Sequence, residues 1–144
     1  MGKAAWAAAL VGLGLGGFLD GIVFHQVLQW HHLLSAFAPQ ACLGWHVVWD
    51  GIFHLATYGV LAAGIVLMWF ARNQLAYART RAFWGMALIG FGFFHIFDAV
   101  VFHWVLGLHH INMAQPVLWD LVVFAAGLAI TAAGAVLIRS GRSV

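Results

Sequence analysis

Asp20, Asp50, Asp98 and Asp120 are the only acidic residues of this chain, and all four lie within its most apolar stretches. Nine histidines accompany them, several in the same stretches. The composition is 65% hydrophobic and only 7% charged, which is that of a bilayer-embedded chain. An Asp at the centre of a membrane helix costs roughly 2.5–3.5 kcal/mol on insertion scales. Four unpartnered ones would therefore sum to about 10 kcal/mol. Such groups are retained where they find partners, and they mark functional sites. Imidazole and carboxylate together form the donor set of a Zn, Fe, Mn or Cu(II) centre, which makes metal binding the chemistry to test.

Two motifs carry these groups. Asp-x4-His-x5-His-His occurs as Asp20, His25, His31, His32 and again as Asp98, His103, His109, His110; Trp-Asp occurs at Asp50 and at Asp120. At about 1.5 Å of rise per residue, His25, Asp50, His103 and Asp120 share one depth, with Asp20 and Asp98 about one and a half turns deeper. His46, Asp50 and His54 follow i, i+4, i+8 spacing and form one helical stripe. His95 lies one turn from Asp98, which suggests a deeper layer of Asp20, His54, His95 and Asp98. The candidate ligands are thus His25, Asp50, His54, His95, Asp98 and His103, with Asp20, Asp120 and His46 beside them. The pairs His31-His32 and His109-His110 read as an entrance that collects metal, or as residues of the membrane interface. Asp20 and His25 are five residues apart, about 140° around an ideal α-helix. They converge only if the helix is distorted; otherwise one of them orients the other from a neighbouring helix.

Three other readings stand beside a mono- or dinuclear metal site. Neutral Asp–His and Asp–Trp pairs would satisfy the bilayer without metal. A haem ligated by two histidines would account for the imidazoles and leave four carboxylates unexplained. Stacked polar layers would also serve as a proton or metal-ion conduit. Nucleophilic catalysis has little support, because Ser35 is the only serine outside the C-terminal tail. Cys42 is alone, which rules out an internal disulfide, and a small apolar role suits it.

Four apolar spans, at about 6–30, 45–70, 82–106 and 117–138, would position these groups, each near the ~20 residues that cross a bilayer. The expected fold is an all-α integral membrane four-helix bundle forming a single transmembrane domain over 1–144. The first span exceeds a 7–15-residue signal-peptide core and carries Asp20, so it reads as a retained helix. Lys3, Arg72, Arg79, Arg81, Arg139 and Arg142 fall before the first span, between the second and third, and after the fourth. The positive-inside rule then predicts a bacterial inner-membrane protein with both termini cytoplasmic. The pI near 9.2 follows from that topology and gives no reason to expect nucleic-acid binding.

The chain also reads as two copies of one helical hairpin, 6–67 and 84–137. With a shift of 78 residues, Trp6–His32 overlies Trp84–His110 with 13 of 27 positions identical, including Asp20, His25, His31 and His32. With a shift of 70, Trp49-Asp50 overlies Trp119-Asp120. Two-span repeats enter and leave the membrane in the same sense, which implies a pseudo-two-fold axis along the membrane normal. His46, His54 and His95 break the pattern, falling opposite Pro116, Phe124 and Gly17. Pairs such as Gly12 with Gly16 offer small surfaces for close helix packing. A bundle this small leaves helix faces to lipid, to a second copy or to a membrane partner chain.

The strings Gly17-Phe-Leu-Asp-Gly-Ile-Val-Phe-His-Gln-Val-Leu-Gln-Trp-His-His32 and Trp49-Asp-Gly-Ile-Phe-His54, with Phe94-His-Ile-Phe-Asp98 and the second His-His, resemble a family of small bacterial predicted membrane proteins. That family is of unknown function and has four predicted spans. The resemblance implies the topology, and it also implies copper handling near respiratory oxidase assembly. Metal delivery or transport, of copper or zinc, is accordingly the alternative to a metal-dependent membrane enzyme that activates water or oxygen. Four carboxylates favour borderline or hard metals over Cu(I).

Overall fold

The computed structural model describes residues 2–77 and 80–140. Arg79 and Arg142, two of the cations used to orient the chain, lie outside the described residues. Helix α1 spans Lys3–Asp20 and continues as a π-helical segment, Gly21–Val27. Helix α2 spans Leu43–Phe70, and a short α3, Arg72–Tyr77, follows it. Helix α4 spans Thr80–Phe97 and likewise continues as a π-helical segment, Asp98–Val105, before α5, Pro116–Ser140. Four helical rods, Lys3–Val27, Leu43–Phe70, Thr80–Val105 and Pro116–Ser140, are long and apolar enough to cross a membrane. No strand occurs among the described residues, and the chain is an all-α four-helix membrane bundle.

The helices are ordered α2, α1, α4, α5 across the bundle: α1 packs on both α2 and α4, and α5 packs on α4. Among the described residues α2 and α5 do not pack on each other. The two inner rods are 44% buried along their apolar windows, against 11% and 17% for the outer two. The inner pair is therefore the scaffold, and the outer helices present most of their surface to lipid.

Hydrophobicity gives helices no reason to associate within lipid, so close backbone packing must do it. The sequence provides this where α1 crosses α4. A Cβ at Gly12 would overlap the carbonyl of Ala87, and one at Gly90 would overlap the carbonyl of Ala9. The two contacts are reciprocal and bring the helices together backbone to backbone.

The first span ends earlier than hydropathy suggests, at Val27 instead of near residue 30. Gln29 adopts φ 49°, and Gly107, at the matching position of the second hairpin, adopts φ 60°. A residue in this left-handed region stops a right-handed helix. Gln29 accepts there a conformation that glycine takes without steric cost. The chain beyond each stop turns back over the end of the bundle, which brings His31 and His109 inward.

Candidate metal centre

The π-helical segments remove the angular obstacle between Asp20 and His25. In a π-helix the hydrogen bond runs from residue i to i+5. Such bonds are seen from the Leu28 N–H to the Val23 carbonyl and from the Leu106 N–H to the Val101 carbonyl, each 2.8–2.9 Å long. The wider turn brings residues five apart nearly into line. His25 Nε2 lies 3.2 Å from Asp20 Oδ2, and His103 Nε2 lies 2.9 Å from Asp98 Oδ2.

The opposite edge of each ring faces a second carboxylate from the adjacent outer helix. His25 Nδ1 is 3.1 Å from Asp50 Oδ1, and His103 Nδ1 is 2.9 Å from Asp120 Oδ1. These outer carboxylates are fixed from the loop side. The Leu33 N–H donates to Asp50 Oδ1 at 2.9 Å, with His32 Nδ1 2.7 Å from Oδ2. The Ile111 N–H donates to Asp120 Oδ1 at 3.0 Å, with His110 Nδ1 2.6 Å from Oδ2. The Trp-Asp and His-His motifs thus meet within each hairpin.

His31 and His109 join the two halves. The Nδ1–H of His31 donates to the Ile111 carbonyl at 2.9 Å, and that of His109 donates to the Leu33 carbonyl at 3.0 Å. Each histidine therefore bonds across to the other hairpin's loop. The two rings stack in parallel, 6° apart in plane and 4.6 Å between centroids, at the centre of the bundle mouth. His25 lies 4.4 Å from His31, and His103 lies 4.7 Å from His109, edge to face.

A carbonyl can only accept, so these bonds place the single proton of neutral His31 and His109 on Nδ1 and leave Nε2 with a bare lone pair. Burial, opposed in part by nearby Asp20, pushes the His31 imidazolium down to about 4, and burial pushes that of His109 well below its ordinary value. Both rings are neutral near pH 7, the form that binds metals.

The Nε2 atoms of His31 and His109 are buried without a hydrogen-bond partner. The same holds for both ring nitrogens of His25 and His103 and both oxygens of Asp20 and Asp98. Their close approaches are out of line for N–H···O bonding. Unpaired buried polar groups are costly and call for an explanation. Two atoms bound to one ion at about 2.1 Å stand roughly 3.0–3.4 Å apart at right-angle to tetrahedral geometry, and the His–Asp separations fall at that scale. Three sets of donors converge within 4.8 Å: His25, His31 and His109; Asp98, His103 and His109; and His103, His110 and Asp120.

Of the residues singled out in the sequence, Asp20, His25, Asp50, Asp98, His103 and Asp120 come together, with His32 and His110 behind them. His31 and His109, expected at an entrance, are the central pair. Among the described residues, His54 and His95 form no ion pair with either deeper aspartate. His54 Nδ1 donates to the Asp50 carbonyl at 2.7 Å, and its ring sits 6.5 Å from His25 and against Gly21. His95 is buried among Phe91, Phe94 and Gly127, with its Nδ1 unbonded. His46 stacks on His32 at 5.2 Å, nearer the loops. Every residue in the cluster has a matched counterpart in the other hairpin, whereas His46, His54 and His95 do not. That matching is the sequence signal that could have pointed to the central histidines, which the sequence alone assigns to an entrance or the membrane interface.

A family model described as a predicted membrane protein (DUF2243) matches residues 7–141. Searches of curated proteins and of solved structures returned no significant match.

Proposed function

The chain belongs to the DUF2243 family of predicted membrane proteins, and we propose that its buried cluster is a transition-metal centre inside the bilayer. The ligands are His25, His31, His103 and His109 through Nε2, together with the carboxylates of Asp20 and Asp98. The observation that carries this reading is the pair His31 and His109, each tied through Nδ1 to a carbonyl with Nε2 bare, buried and aimed at the cluster. Asp50 and Asp120 stand 3.1 and 2.9 Å from the opposite ring nitrogens of His25 and His103, the side from which carboxylates commonly orient metal-bound imidazoles.

The two matched His–Asp pairs fit two ions, one at His25 with Asp20 and one at His103 with Asp98. The four aspartates bring four negative charges into the apolar region, and all six Lys and Arg residues lie outside the spans or at their ends. Two divalent ions would balance the four carboxylate charges. Nitrogen and carboxylate donors suit Zn, Fe or Cu(II).

Bound in this site, such an ion supplies Lewis acidity and lowers the pKa of a coordinated water. The protein orients the rings, excludes bulk water and supplies carboxylates that accept protons. A centre holding its metal tightly fits an enzyme acting on water or oxygen; one that exchanges it fits metal delivery, with His32 and His110 at the entrance. Elemental analysis after detergent purification and extensive dialysis tests both. About two ions per chain, retained through dialysis, are expected. A chain free of metal, with no gain on reconstitution with Zn, Fe or Cu, would leave a metal-free His–Asp network in its place. A Soret band would mark haem.

The proposed orientation has the cluster near the exoplasmic face, both termini in the cytoplasm, and the hairpins 6–67 and 84–137 as repeats of one domain. Cys42 is free and exposed in the loop before α2. In intact cells it is expected to react with a membrane-impermeant maleimide. Labelling only after permeabilisation would reverse the orientation.

A further inference from the structure

A cavity of about 280 Å³ opens between α2 and α4 over α1. Ala56, Phe93 and Phe97 form an exposed rim, while Gly14, Thr57 and Phe94 form a buried floor. The Thr57 hydroxyl is the one polar side-chain group in the lining, and it donates to the His54 carbonyl at 3.0 Å. Water would find too few partners there to remain. The cavity lies within the spans, so its mouth faces hydrocarbon.

Two aromatic walls separate the cavity from the histidine cluster. Phe53 lies 5.3 Å from His25 between ring centroids, and Phe102 lies 6.4 Å from His109. Four of the aromatic residues on this side have smaller counterparts in the other hairpin. The positions matching Phe53, Phe93, Phe94 and Phe97 in the other hairpin are Val123, Leu15, Gly16 and Leu19. Four departures from the repeat thus line one cavity, with the unmatched His54 and His95 beside its floor.

We propose that this cavity binds one acyl chain of a membrane phospholipid, inserted laterally from the bilayer with its end against Phe53 and Phe102. The occupant is apolar because the lining offers it no hydrogen bond. It is a chain because the mouth opens among the spans, where acyl chains are the surrounding medium. The binding site stands on the cavity alone; only the pairing of hydrocarbon with a metal centre one aromatic ring away rests on the preceding reading.

The test uses the full chain in vesicles of phosphatidylcholine bearing a diazirine near the acyl terminus, with photoadducts mapped by mass spectrometry. Adducts are expected on the buried floor residues Thr57 and Phe94, which lipid merely surrounding the bundle does not reach. Ala56→Trp, which fills the mouth, is expected to reduce those adducts by about tenfold or more, with labelling of exposed Val66 and Val136 unchanged. Val60→Phe narrows the same cavity and carries the same expectation should Ala56→Trp fail to fold. A floor without adducts, or floor labelling that both substitutions leave intact, would overturn the proposal. Metal content measured on the same samples separates the two readings: floor labelling without metal retains the chain site and removes the metal centre, and the reverse result removes only the chain site.

Discussion

Replacement of both His31 and His109 by alanine is expected to strip the purified protein of metal, lowering retained ion by about tenfold or more. The bundle itself should persist. Among the described residues, these two rings contribute the only buried, unpartnered Nε2 atoms that a carbonyl bond through Nδ1 leaves as bare lone pairs, and they are shared between the two halves of the cluster. Without them, His25 with Asp20 and His103 with Asp98 remain as separate pairs, each short of the donors that a closed four-coordinate site needs. The informative comparison is His54→Ala with His95→Ala. Those histidines are equally unusual in an apolar helix, but His54 bonds to its own helix and His95 packs among phenylalanines. That double substitution is expected to retain most of the metal. Elemental analysis of the two variants beside the parent protein checks the assignment. Equal loss in both would move the ligand set toward α2 and α4, and loss only in the second would refute it.

The second large effect concerns the scaffold. Gly12→Val is expected to destabilise the bundle by about 3 kcal/mol or more, beyond ordinary overpacking. The added side chain would meet the Ala87 carbonyl, which belongs to the backbone of α4 and cannot rotate away. Separating α1 from α4 would also lift Gly90 from Ala9 and pull apart the ends that carry His25 and His103. Gly90→Val should match it, because the contact is reciprocal. Gly59→Ala is the control: nothing lies within 4 Å of an added Cβ there. It should be neutral or stabilising by up to about 1 kcal/mol through helix propensity. Unfolding in mixed detergent, followed by circular dichroism, ranks the three. Parity between Gly12→Val and Gly59→Ala would contradict the close crossing.

The four spans, their apolar character and the identity of the polar groups were legible in the sequence because the bilayer imposes them locally. A segment crossing hydrocarbon must be long, apolar and helical, and an aspartate within it is anomalous wherever it occurs. The convergence of Asp20 with His25 was visible only as a contradiction, since five residues on an α-helix point apart. Its resolution is a π-helical turn, whose extra residue is accommodated where side chains from α2 and the loops surround it. Sequence spacing also pointed to His54 and His95, through i+4 periodicity and depth along ideal helices. That reckoning ends at Val27 and Val105, where the helices stop.

What the sequence by itself determined is a membrane-spanning all-α chain with matched His and Asp in each half, because hydropathy and spacing are properties of single segments. What only the tertiary structure decided is which histidines occupy the centre. His31 and His109 lie beyond the helix ends, and their positions depend on left-handed turns at Gln29 and Gly107 and on carbonyls offered by the opposite hairpin's loop. The Leu33 and Ile111 carbonyls are 76 and 80 residues from the rings they fix. No local periodicity encodes a bond across that separation; it forms because close packing of α1 on α4 brings the two loops together.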